Sequence, residues 1–176
     1  RQAIENIFKK NLIGIDLDTR AKQLSMFALL MKACRKDESF LDAEVMPRVY
    51  DMPDPYRENG VDLKDFLAHF YLGGNKKIIE ETLDAIKLMD QAKNLGSIMK
   101  FDISEQIRAA LEIRVNEWRD EGNLGADVKE FLKYADIILA LTDKYHALVM
   151  NPPYMGSGNM NSNLSRYLKD NYDEGK

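Results

Sequence analysis

A chain of 176 residues with a formal charge of −4 has room for one domain, or one and a fraction. Folded, a chain of that size can bury roughly 70% of its unfolded surface, so a real apolar core is within reach. The 45% hydrophobic and 31% charged content is that of a soluble globular protein. No apolar run approaches the ~18 residues of a membrane helix. The acidic balance argues against a stand-alone nucleic-acid binder, which carries net positive charge or a basic stripe. Lys9-Lys10 and Lys76-Lys77 are short and scattered. If the protein acts on nucleic acid, most of its grip lies elsewhere. The opening RQAIENIFKK has the pattern of a helix, not of a signal peptide. The single Cys34 cannot form an internal disulfide, and its apolar surroundings LSMFALLMKACRK predict a buried, reduced thiol. That fits a cytoplasmic protein, in which the sequon at Asn163 is a chance match.

In chain order, Arg1 to Lys10 reads as the end of a helix. NLIGIDLD, Asn11 to Asp18, is a short strand that ends in acids. It is apolar on both faces, as in a parallel sheet covered by helices. Asp18 then caps a helix in which Ala21, Leu24, Phe27, Ala28 and Met31 form one stripe. PRVYDM, Pro47 to Met52, is the next strand, and DMPDPYRENG is a loop by its prolines and glycine. Four helical segments follow, beginning DLKDFL, NKKIIEE, ISEQIRA and ADVKEFL. Their clearest stripes are Ile107, Leu111, Val115 and Trp118, and Val128, Phe131, Leu132, Ala135, Ile138 and Leu139. The aromatics on these stripes belong to a core rather than to a binding platform. SIMKFD is a short strand or a turn between helices. HALVM, His146 to Met150, predicts another buried strand, and the tail predicts a helix over about Asn161 to Asn171. The fold class expected is α/β: part of a doubly wound parallel sheet, with a helical insertion.

In open α/β sheets, ligands bind outside the carboxyl ends of the strands. Two of these ends carry unusual polar groups. At the first, the carboxylate of Asp16 can accept both hydroxyls of a ribose, while Asp18, directly before the helix, serves as its cap. At the second, Asn151 is followed by Pro152, Pro153 and Tyr154. Proline has no N–H and fixes φ, and Pro153 biases Pro152 away from helical geometry. The result is a stiff extended turn with free carbonyls. The Asn151 side-chain oxygen and the Pro152 carbonyl can both accept from one planar NH2 group, and Tyr154 can stack on the ring that carries it. Such acceptors favour the amine as its nitrogen becomes electron-deficient during attack on an electrophile.

Asn-Pro-Pro-Tyr after an apolar strand resembles the catalytic motif of S-adenosylmethionine-dependent amino-methyltransferases. The resemblance implies that Asn151, Pro152, Pro153 and Tyr154 form the catalytic turn, with Asn151 and the Pro152 carbonyl on the target amine and Tyr154 on the base. It also implies that Asp16, in IGIDLD, holds the ribose of the cofactor S-adenosylmethionine, and that Asp51, in VYDM, lies near the cofactor's adenine. NLIGIDLDTRAKQLSMFALLMKA and VMNPPYMGSGNMNSNLSRYLK together are similar to the large adenine-specific DNA methyltransferases of bacterial phage defence, above all those of BREX type. Related restriction–modification enzymes share the pattern more loosely. These two stretches cover about a quarter of the chain. They imply methylation of adenine N6 in double-stranded DNA, with other defence-system proteins as possible partners.

Asp16 and Asn151 are 135 positions apart, whereas two crossover units of ~30 residues would need roughly 60. The excess is expected to be a helical insertion over residues 54–145, with 1–53 and 146–176 forming a partial Rossmann-like methyltransferase core. The other readings are a compact protein-glutamine or ribosomal-RNA guanine methyltransferase and a non-enzymatic helical interaction module. The long insertion argues against the first, and the buried-looking strand before the tetrapeptide argues against the second. The glycine-rich motif that follows the first strand in such enzymes is not in the chain; the Gly156–Gly158 stretch follows the catalytic turn and does not replace it. The chain is therefore expected to be a piece of a larger enzyme. Calorimetric titration of this piece alone with S-adenosylmethionine should show weak binding or none; micromolar affinity would contradict that.

Overall fold

A computed structural model describes residues 1–56, 62–72, 74–122, 124–150 and 160–172. The architecture is mixed α/β and mostly helical, with a small parallel sheet. Helix α1 (Gln2–Asn6) runs into a wider π-type turn at Ile7–Asn11, and β1 (Ile13–Asp16) follows. Asp18 starts α2 (Thr19–Lys36) by accepting from the Arg20 backbone N–H, as its position predicts. A 3-10 segment, Glu38–Ala43, leads to β2 (Arg48–Asp51). The strands pair in parallel with Ile13 opposite Arg48, Gly14 opposite Val49, Ile15 opposite Tyr50 and Asp16 opposite Asp51. The ladder extends one step beyond, because the Met52 N–H donates to the Asp16 carbonyl. This is one β–α–β unit.

Alternation along the strands sorts the side chains. Ile15 and Tyr50 pack against the main core, while Gly14, Val49 and the two aspartates face α2. Gly14 has little room on that face: a Cβ there would meet Val49 Cγ1 at 3.3 Å. Helix α2 forms as the sequence predicts, but with a different face inward. Ala21, Lys22, Met26, Leu29, Leu30 and Cys34 are half-buried and Ala33 is buried. The stripe of Leu24, Phe27 and Met31 is 69%, 60% and 55% exposed, and Ala28 beside it is exposed as well. A two-stranded sheet is too narrow to cover both apolar faces of a helix, so one is left in solvent. The inward face meets Phe8 and Phe40, whose rings pack edge to face at 5.4 Å. Cys34 lies half-buried beside this small cluster as a free thiol.

The middle of the chain is helical throughout: α3 (Leu63–Phe70), α4 (Lys76–Met89), α5 (Ala92–Leu95), α6 (Glu105–Glu121) and α7 (Ala126–Thr142). The two predicted stripes are the ones buried. Ile107, Leu111, Val115 and Trp118 point inward from α6, and Phe131, Leu132, Ala135 and Ile138 from α7. Phe66, Phe70, Trp118 and Phe131 form one aromatic cluster, and each contributes roughly 1.5–3 kcal/mol through burial. The residues of SIMKFD form a 3-10 turn and coil, not a strand. Helix α8 (Ser162–Asn171) is capped by Asn161 and docks on this middle region. The Tyr167 hydroxyl accepts from the Lys100 N–H at 2.7 Å, and the Tyr172 hydroxyl donates to the Ile98 carbonyl at 2.7 Å.

The strand expected at His146–Met150 is not formed. Leu148, Val149 and Met150 are 72%, 97% and 59% exposed and pair with neither strand. The Tyr145 hydroxyl donates back to the Ala140 carbonyl at 2.7 Å, so the chain leaves α7 along the surface. An apolar run becomes a strand only where a neighbour supplies ladder hydrogen bonds, and β2 does not supply them here. Leu111→Ala should lower the unfolding free energy by about 2–5 kcal/mol, and Leu24→Ala by less than about 0.5 kcal/mol. Urea denaturation of the two variants checks this contrast between the predicted core stripe and the exposed one.

Candidate functional site

The carboxyl ends of β1 and β2 put Asp16 and Asp51 side by side, as register partners. Adjacent strands lie about 4.8 Å apart, so these are two carboxylates at neighbouring backbone positions on one face. Their surroundings differ. Asp16 is exposed, and its Oδ1 accepts from the Asp18 N–H at 2.9 Å. That bond turns the chain from the strand into α2 and leaves Oδ2 without a hydrogen-bond donor among the described residues. Asp51 is half-buried and held at both oxygens: Lys22 Nζ donates to Oδ1 at 2.7 Å, and the Thr19 hydroxyl donates to Oδ2 at 2.7 Å. Burial pushes the Asp51 carboxyl up, but the Lys22 and Thr19 hydrogen bonds outweigh it and hold the group below its ordinary value.

Both clamping residues come from the first turn of α2. Their place follows from topology: in a β–α–β unit the first turn of the crossover helix stands over the carboxyl ends of the strands it joins. Sequence reading singled out Asp16, Asp18 and Asp51 but missed Thr19 and Lys22. The available signal was their i, i+3 spacing directly after the Asp18 cap, which places both on one helix face. Asp18 does cap; its carboxyl is lowered first by the Arg20 side-chain hydrogen bond and then by the Arg20 backbone N–H. The cap and the candidate ligand acid are thus separate residues, two positions apart.

An open groove of about 420 Å³ runs beside β1, lined by Leu12, Gly14, Ile15, Asp16 and Val49 and by Ser25, Ala28, Leu29 and Lys32 of α2; Asp51 is not part of its lining. Asp16, Ser25 and Lys32 are its polar lining residues. The chemistry of this donor and acceptor set fits a nucleoside: the Asp16 carboxylate has lone pairs for the two hydroxyls of a ribose, and each Asp51 oxygen keeps one for an N–H. The remaining predicted site residues, Asn151, Pro152, Pro153 and Tyr154, lie outside the described residues. Among the described residues no cluster of His, Cys, Asp or Glu is arranged to hold a metal ion, and no helix is long and apolar enough to cross a membrane.

The chain belongs to the Eco57I restriction-modification methylase family, whose model matches residues 10–176. Among curated proteins it is similar to the adenine-specific methyltransferase PglX of Lacticaseibacillus casei (strain Zhang), with 30% identity over 183 residues, covering 100% of this chain and 15% of that protein. It is also similar to the adenine-specific methyltransferase BrxX of Escherichia coli O9:H4 (strain HS), with 27% identity over 194 residues, covering 97% of this chain and 16% of that protein. The chain therefore spans about a sixth of the length of these relatives. Family membership disfavours both the interaction-module reading and the protein-glutamine or ribosomal-RNA reading.

The sign of the Asp51 shift fixes a pH dependence. A depressed carboxyl contributes stability that is fully present above its unfolded value and is lost as pH falls through the folded one. A carbon-detected NMR titration of Asp51 should therefore give a midpoint below the ordinary 3.8. Lys22→Met should raise it, since burial is then opposed by one partner fewer. A midpoint at or above 3.8 in the unmodified chain would contradict the clamp.

Proposed function

We propose that this chain is part of a DNA methyltransferase that moves a methyl group from S-adenosylmethionine to adenine N6 in double-stranded DNA, in a phage-defence or restriction–modification setting. The observation that carries the reading is the Asp16–Asp51 pair at the carboxyl ends of two parallel strands, in a chain of this methylase family. S-adenosylmethionine supplies the reactive methyl group when bound. Asp16 accepts the ribose hydroxyls, and Asp51 accepts from the exocyclic amine of the cofactor's adenine. Asn151 and the Pro152 carbonyl accept the N–H groups of the target amine, Pro153 keeps the turn extended, and Tyr154 stacks on the target base. The DNA phosphates are met by other parts of a longer cytoplasmic protein, since this chain carries net negative charge. Other defence-system proteins are its natural partners.

The finer fold belongs to the same proposal. The two strands are part of a Rossmann-like sheet, with residues 1–53 and 146–176 in its core and 54–145 inserted. Three features support it: among the described residues β1 is paired only with β2, the groove lies beside β1 on the α2 side, and the Leu24, Phe27 and Met31 face of α2 is exposed. A further strand and helix laid against β1 and α2 would cover all three. His146–Met150 would then gain the strand neighbours that its apolar sequence implies.

The deciding experiment uses the full-length protein in its host. Asn151→Ala should abolish N6-methyladenine at the recognition site, and Asp16→Ala should reduce it strongly, as mapped by long-read sequencing. Unchanged methylation in Asn151→Ala would sink the catalytic assignment.

A further inference from the structure

Methyl transfer needs the target amine and the cofactor's methyl group about 3–3.5 Å apart, and a misplacement of about 1 Å can cost about 100-fold in rate. In this chain the two sides of that encounter lie far apart in sequence. One is the pair of strand ends with Asp16 and Asp51; the other is the turn that begins at Asn151, 135 positions after Asp16. We infer that residues 90–100 of the helical middle fix one side against the other, with Asp90, Lys93, Asn94 and, on α8, Tyr167 as positioning residues for the transfer. The inference rests on the reading of Asn151–Tyr154 as the catalytic turn and of the strand ends as the cofactor side.

Residues 90–100 touch the neighbours of both. Toward the sheet, Gly96 lies against Leu17, the residue after Asp16: a Cβ there would meet Leu17 Cδ2 at 3.8 Å. Asp90 Oδ1 accepts from the Tyr56 N–H at 3.0 Å, and Lys93 pairs with the Asp54 carboxylate. Asp54 and Tyr56 belong to the stretch that leaves β2 just after Asp51. Toward the tail, Asn94 Oδ1 accepts from the Asn161 amide at 2.5 Å. The Lys100 N–H donates to the Tyr167 hydroxyl and the Ile98 carbonyl accepts from the Tyr172 hydroxyl, each at 2.7 Å. Asn161 stands seven positions after Tyr154 and caps α8, so these bonds tether the chain that follows the catalytic turn. Met89, Ala92, Leu95 and Met99 are buried in the main core. The polar groups between them are therefore presented from a backbone that packing holds in place. One short element thus ties the loop after Asp51 to the helix after Asn-Pro-Pro-Tyr, and neither tie requires contact with cofactor or base.

The test separates rate from binding. The full-length protein is assayed in a single turnover, at saturating S-adenosylmethionine and saturating DNA that carries the recognition site mapped in its host. Calorimetry counts the S-adenosylmethionine sites per protein, and the readout is the transfer rate per occupied site. Tyr167→Phe keeps the ring and removes the hydroxyl; it should slow transfer about 3- to 10-fold, and Asn94→Ala with Tyr167→Phe about 10- to 100-fold. Asp90→Ala with Lys93→Met, which frees the other side, should slow it by about 10-fold. Asn94→Asp retains the accepting oxygen and should keep most of the rate. Asp170→Asn, exposed on α8, should change nothing. Residues that only stabilise the fold would lower the number of cofactor sites and leave the rate per site unchanged. Asn151→Ala checks the reading beneath. If it transfers at the unmodified rate, the catalytic-turn reading fails, and the inference with it. If it abolishes transfer while either paired variant keeps the unmodified rate per site, the inference alone is overturned. Should a paired variant not fold, Tyr167→Phe and Asn94→Asp decide: an unchanged rate per site in the first would overturn the inference, and a slowed one with the second near the unmodified rate would support it.

Discussion

The parallel register that sets Asp16 opposite Asp51 is the constraint on which the site depends. One residue of slippage would turn one of the two acids to the other face of the sheet, toward Ile15, Tyr50 and the main core. Close packing at Gly14 against Val49 and the extra ladder bond from Met52 to Asp16 help hold the register where the acids need it. The same register brings the first turn of α2 over the strand ends, so Thr19 and Lys22 reach Asp51 while Asp18 is occupied with capping. Capping by Asp18, turning by Asp16 and the hold of Thr19 and Lys22 on Asp51 are thereby divided among neighbouring residues of one short connection.

The helical middle supplies the mass that this small sheet lacks. Two parallel strands cannot be stable alone, and here Ile15, Tyr50 and Met52 join a core whose bulk comes from α3, α4, α6 and α7. The Arg114 guanidinium stacks on the Trp118 and Phe70 rings and donates to the Phe70 carbonyl, closing one side of the aromatic cluster. The middle also receives α8, the helix that follows the Asn-Pro-Pro-Tyr segment. Leu164 and Tyr167 pack against its core, and Asn161 both caps α8 and donates to the Asn94 side chain at 2.5 Å. Sheet, helical middle and tail thus share one apolar core.

Local order was readable wherever a side-chain pattern is enough to specify it. The stripes of α6 and α7 are buried as their 3.6-residue periodicity predicts, because an amphipathic helix with neighbours on one side has one way to hide its apolar face. The cap at Asp18 falls where the sequence places it. The reading went wrong where the outcome depends on a distant neighbour. The Leu24, Phe27 and Met31 stripe of α2 looks like a core face but is solvent-exposed, because the helix has two apolar faces and the sheet covers only one. His146–Met150 has the composition of a buried strand but, among the described residues, no strand beside it.

By itself, the sequence determined the helices, the β–α–β unit, the acids at its strand ends and the methylase resemblance, because each is carried by residues close together in the chain. Tertiary structure alone decided the parallel register and the face of α2 that turns inward. It also decided that Lys22 and Thr19 belong to Asp51, some thirty positions away, rather than to the nearer Asp16. These outcomes depend on which surfaces meet, and a carboxylate is held by whichever donors the fold brings to it.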